Sequence, residues 1–151
     1  MSLRRLARVV LLSGLAVFLA VGALASYRAY QPVFGVSIRV DPPALEAGAA
    51  VRVETVTSGR GPVTIRVEVV QGSHAETVAI DHVASRRWAF WDLRLVRRAT
   101  RASLSRALLA RLEPGPVVVR ATVQGAPAWL RQPPAVVEEV AAQVPAGGGA
   151  R

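Results

Sequence analysis

The chain has 151 residues, no cysteine and a formal net charge of +9 at pH 7. The absence of cysteine excludes disulfides, thiol catalysis and every cysteine-based metal site, so packing and backbone pairing must hold the fold together. All of the basic residues are arginines, as codon bias in a GC-rich genome would produce. The charge therefore indicates either a solvated surface or a real attraction to anionic lipid, acidic polysaccharide or an acidic protein.

The first element is an apolar segment over residues 9–27, whose only ionisable side chain is that of Tyr27. An apolar helix of about 20 residues spans the roughly 30 Å hydrocarbon layer of a bilayer. The basic residues that precede it are Arg4, Arg5 and Arg8. Because cationic flanks stay in the cytoplasm, and only Arg28 lies close to the far end, we expect residues 1–8 to be cytoplasmic and the domain that follows the apolar segment to be extracytoplasmic.

Two interpretations of this segment are open. Tyr27 and Tyr30 stand where aromatic side chains anchor a spanning helix at the interface. Ala23 and Ala25, however, fit the pattern of small residues at a signal-peptidase site. The segment is therefore either a single-pass anchor or the apolar region of a signal peptide that is cleaved after Ala25.

A short tether is predicted over residues 28–35, and alternating apolar and polar residues then predict a series of strands. The first strand, at 36–40, ends at Asp41-Pro42-Pro43, because proline cannot donate to a ladder. The later strands are each bounded by turns that contain glycine or proline. They are predicted around residues 51–54, 63–69, 78–83 and 117–123.

Two segments fit more than one element. Residues 99–112 are rich in alanine, leucine and arginine, and their apolar spacing suits a helix and a strand equally well. Residues 134–143 fit either the last strand or a short amphipathic helix. Residues 145–151 contain three successive glycines and are expected to be a disordered tail.

Three stretches of the chain resemble bacterial immunoglobulin-like or fibronectin-type-III-like domains, which are exported β-sandwiches. They are the Val-Asp-Pro-Pro-Ala-Leu-Glu-Ala-Gly run at 40–48, Gly-Arg-Gly-Pro at 59–62, and Leu-Glu-Pro-Gly at 112–115 followed by alternating valines. The chain departs from the family in having valines and Arg120 where a tyrosine would follow the last motif, and it lacks the Cys, Trp, Cys arrangement of antibody domains.

The resemblance covers about residues 36–142, and it implies two antiparallel sheets packed face to face with a binding or structural role. We therefore predict a mainly β chain, in which a transmembrane or signal helix precedes an Ig-like β-sandwich over residues 36–144. A short helix in 99–112 or 134–143 is compatible with this fold.

The strongest candidate for an interaction surface is a run of arginine and tryptophan. Tryptophan brings a large contact area, and arginine forks bind carboxylates and phosphates. The alternative is that a tryptophan fills the core while the arginines solvate the edge of the sandwich. The members of this run are Arg86, Arg87, Trp88, Trp91, Arg94, Arg97 and Arg98.

Catalytic chemistry has few residues to use. His74 and His82 are the only imidazoles, and nucleophilic catalysis by serine needs a base that a carboxylate orients. Asp81 and His82 are neighbours, so in a strand their side chains point to opposite faces. A metal site would need both histidines to converge with carboxylates. We predict no catalytic set, no metal and no cofactor.

These observations predict a membrane-tethered extracytoplasmic adaptor or accessory subunit without catalytic activity. Its expected partners are membrane lipid, through the helix, and an envelope protein or an acidic envelope polymer. Nucleic acid is the least expected anion, because this compartment rarely presents it. The second hypothesis is a secreted or periplasmic ligand-binding module released after Ala25, and the third is a small envelope enzyme or metal carrier that uses His74 and His82.

Overall fold

The computed structural model describes residues 3–30, 32–59, 61–84, 94–126 and 132–146. Within these ranges the chain forms a long helix, then strands, with a one-turn helix between the fifth and sixth strands. The helices are α1 (Leu3–Tyr30) and α2 (Arg106–Leu109). The strands are β1 (Val33–Asp41), β2 (Ala50–Thr57), β3 (Val63–Gln71), β4 (His74–Val83), β5 (Val96–Ser103), β6 (Gly115–Gly125) and β7 (Val136–Val144).

Helix α1 is long and apolar enough to cross a membrane or to serve as a signal sequence. Its apolar stretch, Arg5–Tyr27, has 23 residues and a mean hydropathy of 2.4, which corresponds to about 34 Å of helix at 1.5 Å per residue. Leucine, valine and phenylalanine side chains along it are exposed rather than packed on the β domain. The helix continues beyond the predicted end at residue 27, and β1 begins at Val33, so the tether predicted over 28–35 is wrong: only residues 31 and 32 separate the two elements.

The strands form two antiparallel sheets, one in the order β1-β2-β5 and the other in the order β4-β3-β6-β7. Side chains alternate between the two faces of each strand, and the buried set of each sheet joins one hydrophobic cluster, so the core lies between the sheets. Burial of each valine or leucine contributes about 1.5–3 kcal/mol. The largest fully buried apolar side chains are Leu45, Val51, Val53, Ile65, Val67, Val69, Val119 and Val123.

The prediction of a mainly β chain behind an N-terminal apolar helix is confirmed. Residues 99–112 contain both predicted elements in succession, because pairing with β2 extends β5 to Ser103 and overrides the helical propensity of this segment. Helix α2 then begins after Ser105, whose Oγ accepts a hydrogen bond of 3.2 Å from the backbone N–H of Leu108.

Of the two alternatives for 134–143, the strand is correct. Residues 147–151 of the predicted tail lie outside the described residues.

Polar contacts join the two sheets along one side. The Asp81 carboxylate on β4 accepts a hydrogen bond of 2.9 Å from the Thr100 hydroxyl on β5, and it lies 3.9 Å from Nη2 of Arg98. Both strands are at the edges of their sheets. Charged side chains that point inward from edge strands oppose pairing with another chain. Asp81 and Arg98 therefore connect the sheets and protect both edges.

The connection from α1 into the β domain is fixed by packing. Pro32 is buried, and its carbonyl accepts a hydrogen bond of 2.8 Å from the backbone N–H of Ser58. Its ring packs directly on Gly125 at the end of β6, and the ring of Pro133 lies beside the same glycine. Two residues after the end of the helix, the chain is therefore already packed against the β domain at Pro32.

We expect Gly125→Ala to lower the free energy of unfolding by about 1–3 kcal/mol, the usual cost of overpacking a filled site. A Cβ at this position would overlap with Cγ of Pro32 and lie 3.2 Å from Cγ of Pro133. The matched control is Gly61→Ala, since a Cβ there meets no described atom within 4 Å. Thermal unfolding of the full chain in detergent, followed by circular dichroism, measures both. Equal midpoints for the two variants would contradict the packing described here.

Candidate anion-binding face

The structure divides the predicted arginine and tryptophan run. Four of its members lie outside the described residues: Arg86, Arg87, Trp88 and Trp91. Arg94 lies just before β5, and Arg97 and Arg98 are neighbours within it, so they point to opposite faces of the strand. Arg98 points toward the other sheet and pairs with Asp81. Arg97 points away from the core.

The outer face of the three-stranded sheet carries a row of arginines in direct register. Arg39 on β1 lies opposite Arg52 on β2, and Arg52 lies opposite Arg101 on β5. Neighbouring strands are about 4.8 Å apart, so the row crosses the sheet in about 10 Å. Arg97 shares this face, about 13 Å along β5 from Arg101. We call Arg39, Arg52, Arg97 and Arg101 the arginine face.

Carboxylates compensate little of this charge. Two carboxylates share this face: Oε1 of Glu54 lies 2.8 Å from Nη2 of Arg52, and Asp41, two residues beyond Arg39 on β1, lies outside ion-pair distance of the described arginines. In the described part of the chain, ion pairs within 4.0 Å do not include Arg39, Arg97 or Arg101. All four members of the face are exposed. The guanidinium groups therefore face solvent with most of their charge uncompensated.

A shallow groove of about 490 Å³ lies on the same face. Small residues of β1 and β5 contribute to its lining, together with Arg52, Arg97 and the Glu54 that pairs with Arg52. Arg39 and Arg101 lie beside the groove and do not line it. A guanidinium fork donates two parallel hydrogen bonds to a carboxylate or a phosphate. The arrangement can therefore hold an anionic group along the groove.

The outer face of the other sheet is balanced. Arg66 and Glu68 on β3 lie 3.7 Å apart, and Nε of Arg120 on β6 lies 2.6 Å from Oε1 of Glu139 on β7. Both arginines thus have a carboxylate partner on their own face. The two sheets are made from the same biased set of residues, yet only the three-stranded sheet presents unpaired positive charge on its described outer face.

The two histidines are far apart. His74 is the first residue of β4 and His82 lies eight positions later, which is about 26 Å along a strand. Nδ1 of His82 lies 3.1 Å from the hydroxyl of Thr64 on the neighbouring strand. Over the described ranges, no group of three histidine or carboxylate residues could hold a metal ion. The structure therefore does not bring His74 and His82 together into one site.

The residues singled out near the N-terminus all fall within α1. Arg4, Arg5 and Arg8 lie in its first two turns, and Arg28 and Tyr30 lie in its last turn. Tyr27 is exposed, whereas Ala25 is buried. The backbone is helical through Ala23 and Ala25, where signal-peptidase cleavage was considered.

Sequence reasoning missed three of the four arginines of the face. Alternation already placed Arg39 and Arg52 at solvent-facing positions in their strands. Their alignment with Arg101 depends on the register between β1, β2 and β5, which a single sequence does not reveal.

Comparison with models of known protein families found no match, and comparisons with characterised proteins and with solved structures found none either.

We expect Arg101→Thr to raise the free energy of unfolding by about 0.2–1 kcal/mol at low salt, because like charges directly opposite each other on a sheet are destabilising. Chemical denaturation at low and at high salt measures the change, which screening should reduce.

The matched control is Arg120→Thr, which makes the same side-chain change on a residue paired with Glu139. Loss of that pair should lower stability by a similar amount. If both variants are destabilised alike, the row of arginines carries no repulsion and the account of this face is wrong.

Proposed function

We propose that this chain is a single-pass membrane protein that holds an Ig-like β-sandwich outside the cytoplasm as a non-catalytic adaptor or accessory subunit. The observation that carries the proposal is the junction between α1 and β1. Only two residues separate the helix from the strand, and the second, Pro32, is packed against Gly125. A domain attached in this way stays close to the membrane surface, where an accessory subunit meets its partner.

The orientation follows from the basic residues of α1. Arg4, Arg5 and Arg8 precede the apolar stretch, whereas Arg28 alone follows it closely. An excess of arginine marks the cytoplasmic side of a spanning helix. This asymmetry supports a cytoplasmic N-terminus and an extracytoplasmic β domain.

Retention of the helix is supported by the local structure at the alternative cleavage site. Residues 23–25 are helical, Ala25 is buried, and the Ser26 hydroxyl donates a hydrogen bond of 2.9 Å to the carbonyl of Gly22. Proteases act preferentially on exposed, irregular segments. The competing function, a periplasmic or secreted binding module, requires cleavage after Ala25.

The strand order supports the Ig-like assignment. With strands lettered A to G along the chain, an immunoglobulin constant domain has A, B, E and D in one sheet and C, F and G in the other. Here β1-β2-β5 corresponds to A-B-E, and β3-β6-β7 corresponds to C-F-G. The difference is the fourth strand, β4, which pairs with β3 instead of β5.

A binding role is supported by the arginine face, most of whose charge is not compensated by carboxylates in the described part of the chain. The competing function of an envelope enzyme or metal carrier needs His74 and His82 to act together, and about 26 Å of strand separates them. The adaptor role asks only for an accessible surface. An envelope protein and an acidic envelope polymer are both suited to a positive surface.

The topology is tested with a C-terminal reporter enzyme that is active only outside the cytoplasm. We expect full reporter activity for the complete chain. Substitution of Arg4, Arg5 and Arg8 by glutamate should lower it, because the positive charge that holds the N-terminus inside is lost. Reporter activity found only in the cytosol would contradict the proposal.

Retention is tested by mass spectrometry of the native protein from the membrane fraction. A protein that still carries residues 1–25 is expected. A mature protein that begins at Ser26 and leaves the membrane fraction would instead support the released binding module.

A further inference from the structure

We propose that the arginine face binds an acidic polysaccharide, a sugar chain with repeated carboxylate or phosphate groups, that runs across β1, β2 and β5. This inference rests on the extracytoplasmic location proposed above, and it names the partner class that the adaptor would recognise. It is carried by the geometry of Arg39, Arg52 and Arg101 and by the groove beside them.

The row does not serve the stability of the sheet. Three guanidinium groups in direct register repel one another, and Glu54 pairs with only the middle one. Edge protection explains charges on β5, which is an edge strand, but it does not explain Arg52, because β2 lies at the centre of the sheet. A row that opposes folding and is solvent-exposed suits an anionic ligand that neutralises it.

The direction of the row favours a chain that crosses the strands over an acidic peptide. A peptide that added to the sheet would pair with one of its two edges: at β5 it would meet Arg97 and Arg101 but not Arg39, and at β1 it would meet Arg39 but not Arg101. A peptide lying flat on the face would find the backbone groups of β2 already paired with β1 and β5. Its own backbone groups would gain no partners from the ladder.

The distance of Arg39, Arg52 and Arg101 from the helix and the polar residues around them argue against binding to a lipid surface. Arg39 lies six residues beyond Val33, about 20 Å of strand from the point where the chain leaves the helix. At physiological ionic strength, dissolved salt screens the attraction between exposed charges that are more than about 8 Å apart. Among described residues of the β domain, the exposed large apolar side chains are Phe34, Ile80, Leu95 and Val137.

None of these apolar residues accompanies the row. Phe34 and Leu95 lie at the helix end of the three-stranded sheet, and Ile80 and Val137 belong to the other sheet. Surface association with a bilayer normally inserts apolar side chains beside the basic ones. Arg39, Arg52 and Arg101 therefore lack the apolar neighbours that lipid binding uses, whereas Arg97, nearer the helix end, has Leu95 two residues away.

The size of the groove also suits part of a polymer. Its volume is about 490 Å³, and it is open to solvent rather than enclosed as most small-molecule pockets are. Small side chains, including Gly35, Ser37 and Ala99, keep it shallow and open, so a longer chain can enter and leave across the edges of the sheet. A folded acidic protein would instead need about 800 Å² of complementary surface.

The test uses the full chain in nanodiscs of neutral phosphatidylcholine, with polygalacturonate as the acidic polysaccharide and dextran as its neutral counterpart. We expect binding of polygalacturonate that weakens as salt is raised, and no binding of dextran. The triple variant Arg39→Gln, Arg52→Gln, Arg101→Gln should bind polygalacturonate at least about tenfold more weakly.

The matched control removes the same amount of charge elsewhere, through Arg66→Gln, Arg111→Gln and Arg120→Gln. Each of these arginines has a carboxylate partner in the structure. This variant should stay within about threefold of the native affinity, since its charges are already compensated. Thermal unfolding of both variants establishes that they are folded, and the first should be at least as stable as the native chain.

Three results would overturn the inference. The first is an equal loss of affinity in both triple variants, which would indicate attraction by net charge alone. The second is tighter binding of phosphatidylglycerol vesicles through the same arginines, which would assign the face to lipid. The third is tighter binding of polyglutamate than of polygalacturonate at equal charge, which would assign it to an acidic peptide. Failure of the topology reporter would reject the proposed function separately from these outcomes.

Discussion

The burial of alternate residues along β2 is the constraint on which the rest of the structure depends. Val51 and Val53 are completely buried, and Thr55 is nearly so. A shift of one residue would place Arg52 in the core and expose the valines, at a cost of several kcal/mol. The hydrophobic effect therefore sets the register of β2 with β1 and β5, and this register aligns Arg39, Arg52 and Arg101 on the outer face. The candidate site is a consequence of how the core packs.

The same core controls how the β domain is attached to its helix. Gly125 ends β6, and the absence of a side chain there lets Pro32 pack at the point where the chain enters the domain. The hydrogen bond from Ser58 to the Pro32 carbonyl adds a second contact from β2 and its following turn. Because Pro32 is packed in the domain and lies two residues after the end of the helix, the β domain stays within a short distance of the helix end.

The sequence predicts most of the strands because their alternation is strong. β3 begins at Val63 as expected, since the valines and isoleucine of 63–69 face one side. The segment 99–112 could not be resolved in the same way, because helix and strand patterns both fit it and pairing with β2 decides the outcome. The contacts that hold the turn at 112–115 could not be predicted either, because they join residues distant in sequence. The Gln71 side chain makes hydrogen bonds of 2.7 and 2.9 Å to the backbone of Glu113. The arginine face could not be predicted because its members lie on three strands, and the sequence does not show how these strands align.

The composition explains why the chain contains so many arginines, but the structure shows that they are paired differently on the two sheets. Codon bias explains why the basic residues are arginine rather than lysine, but it acts on every strand alike and predicts no difference between the two sheets. On the four-stranded sheet, Arg66 and Arg120 each lie beside a glutamate, as selection for stability favours. On the three-stranded sheet, Arg39 and Arg101 flank Arg52 without such partners in the described chain. A bias in composition supplies the residues, but it does not by itself explain why three arginines stand in register at the centre of one exposed face.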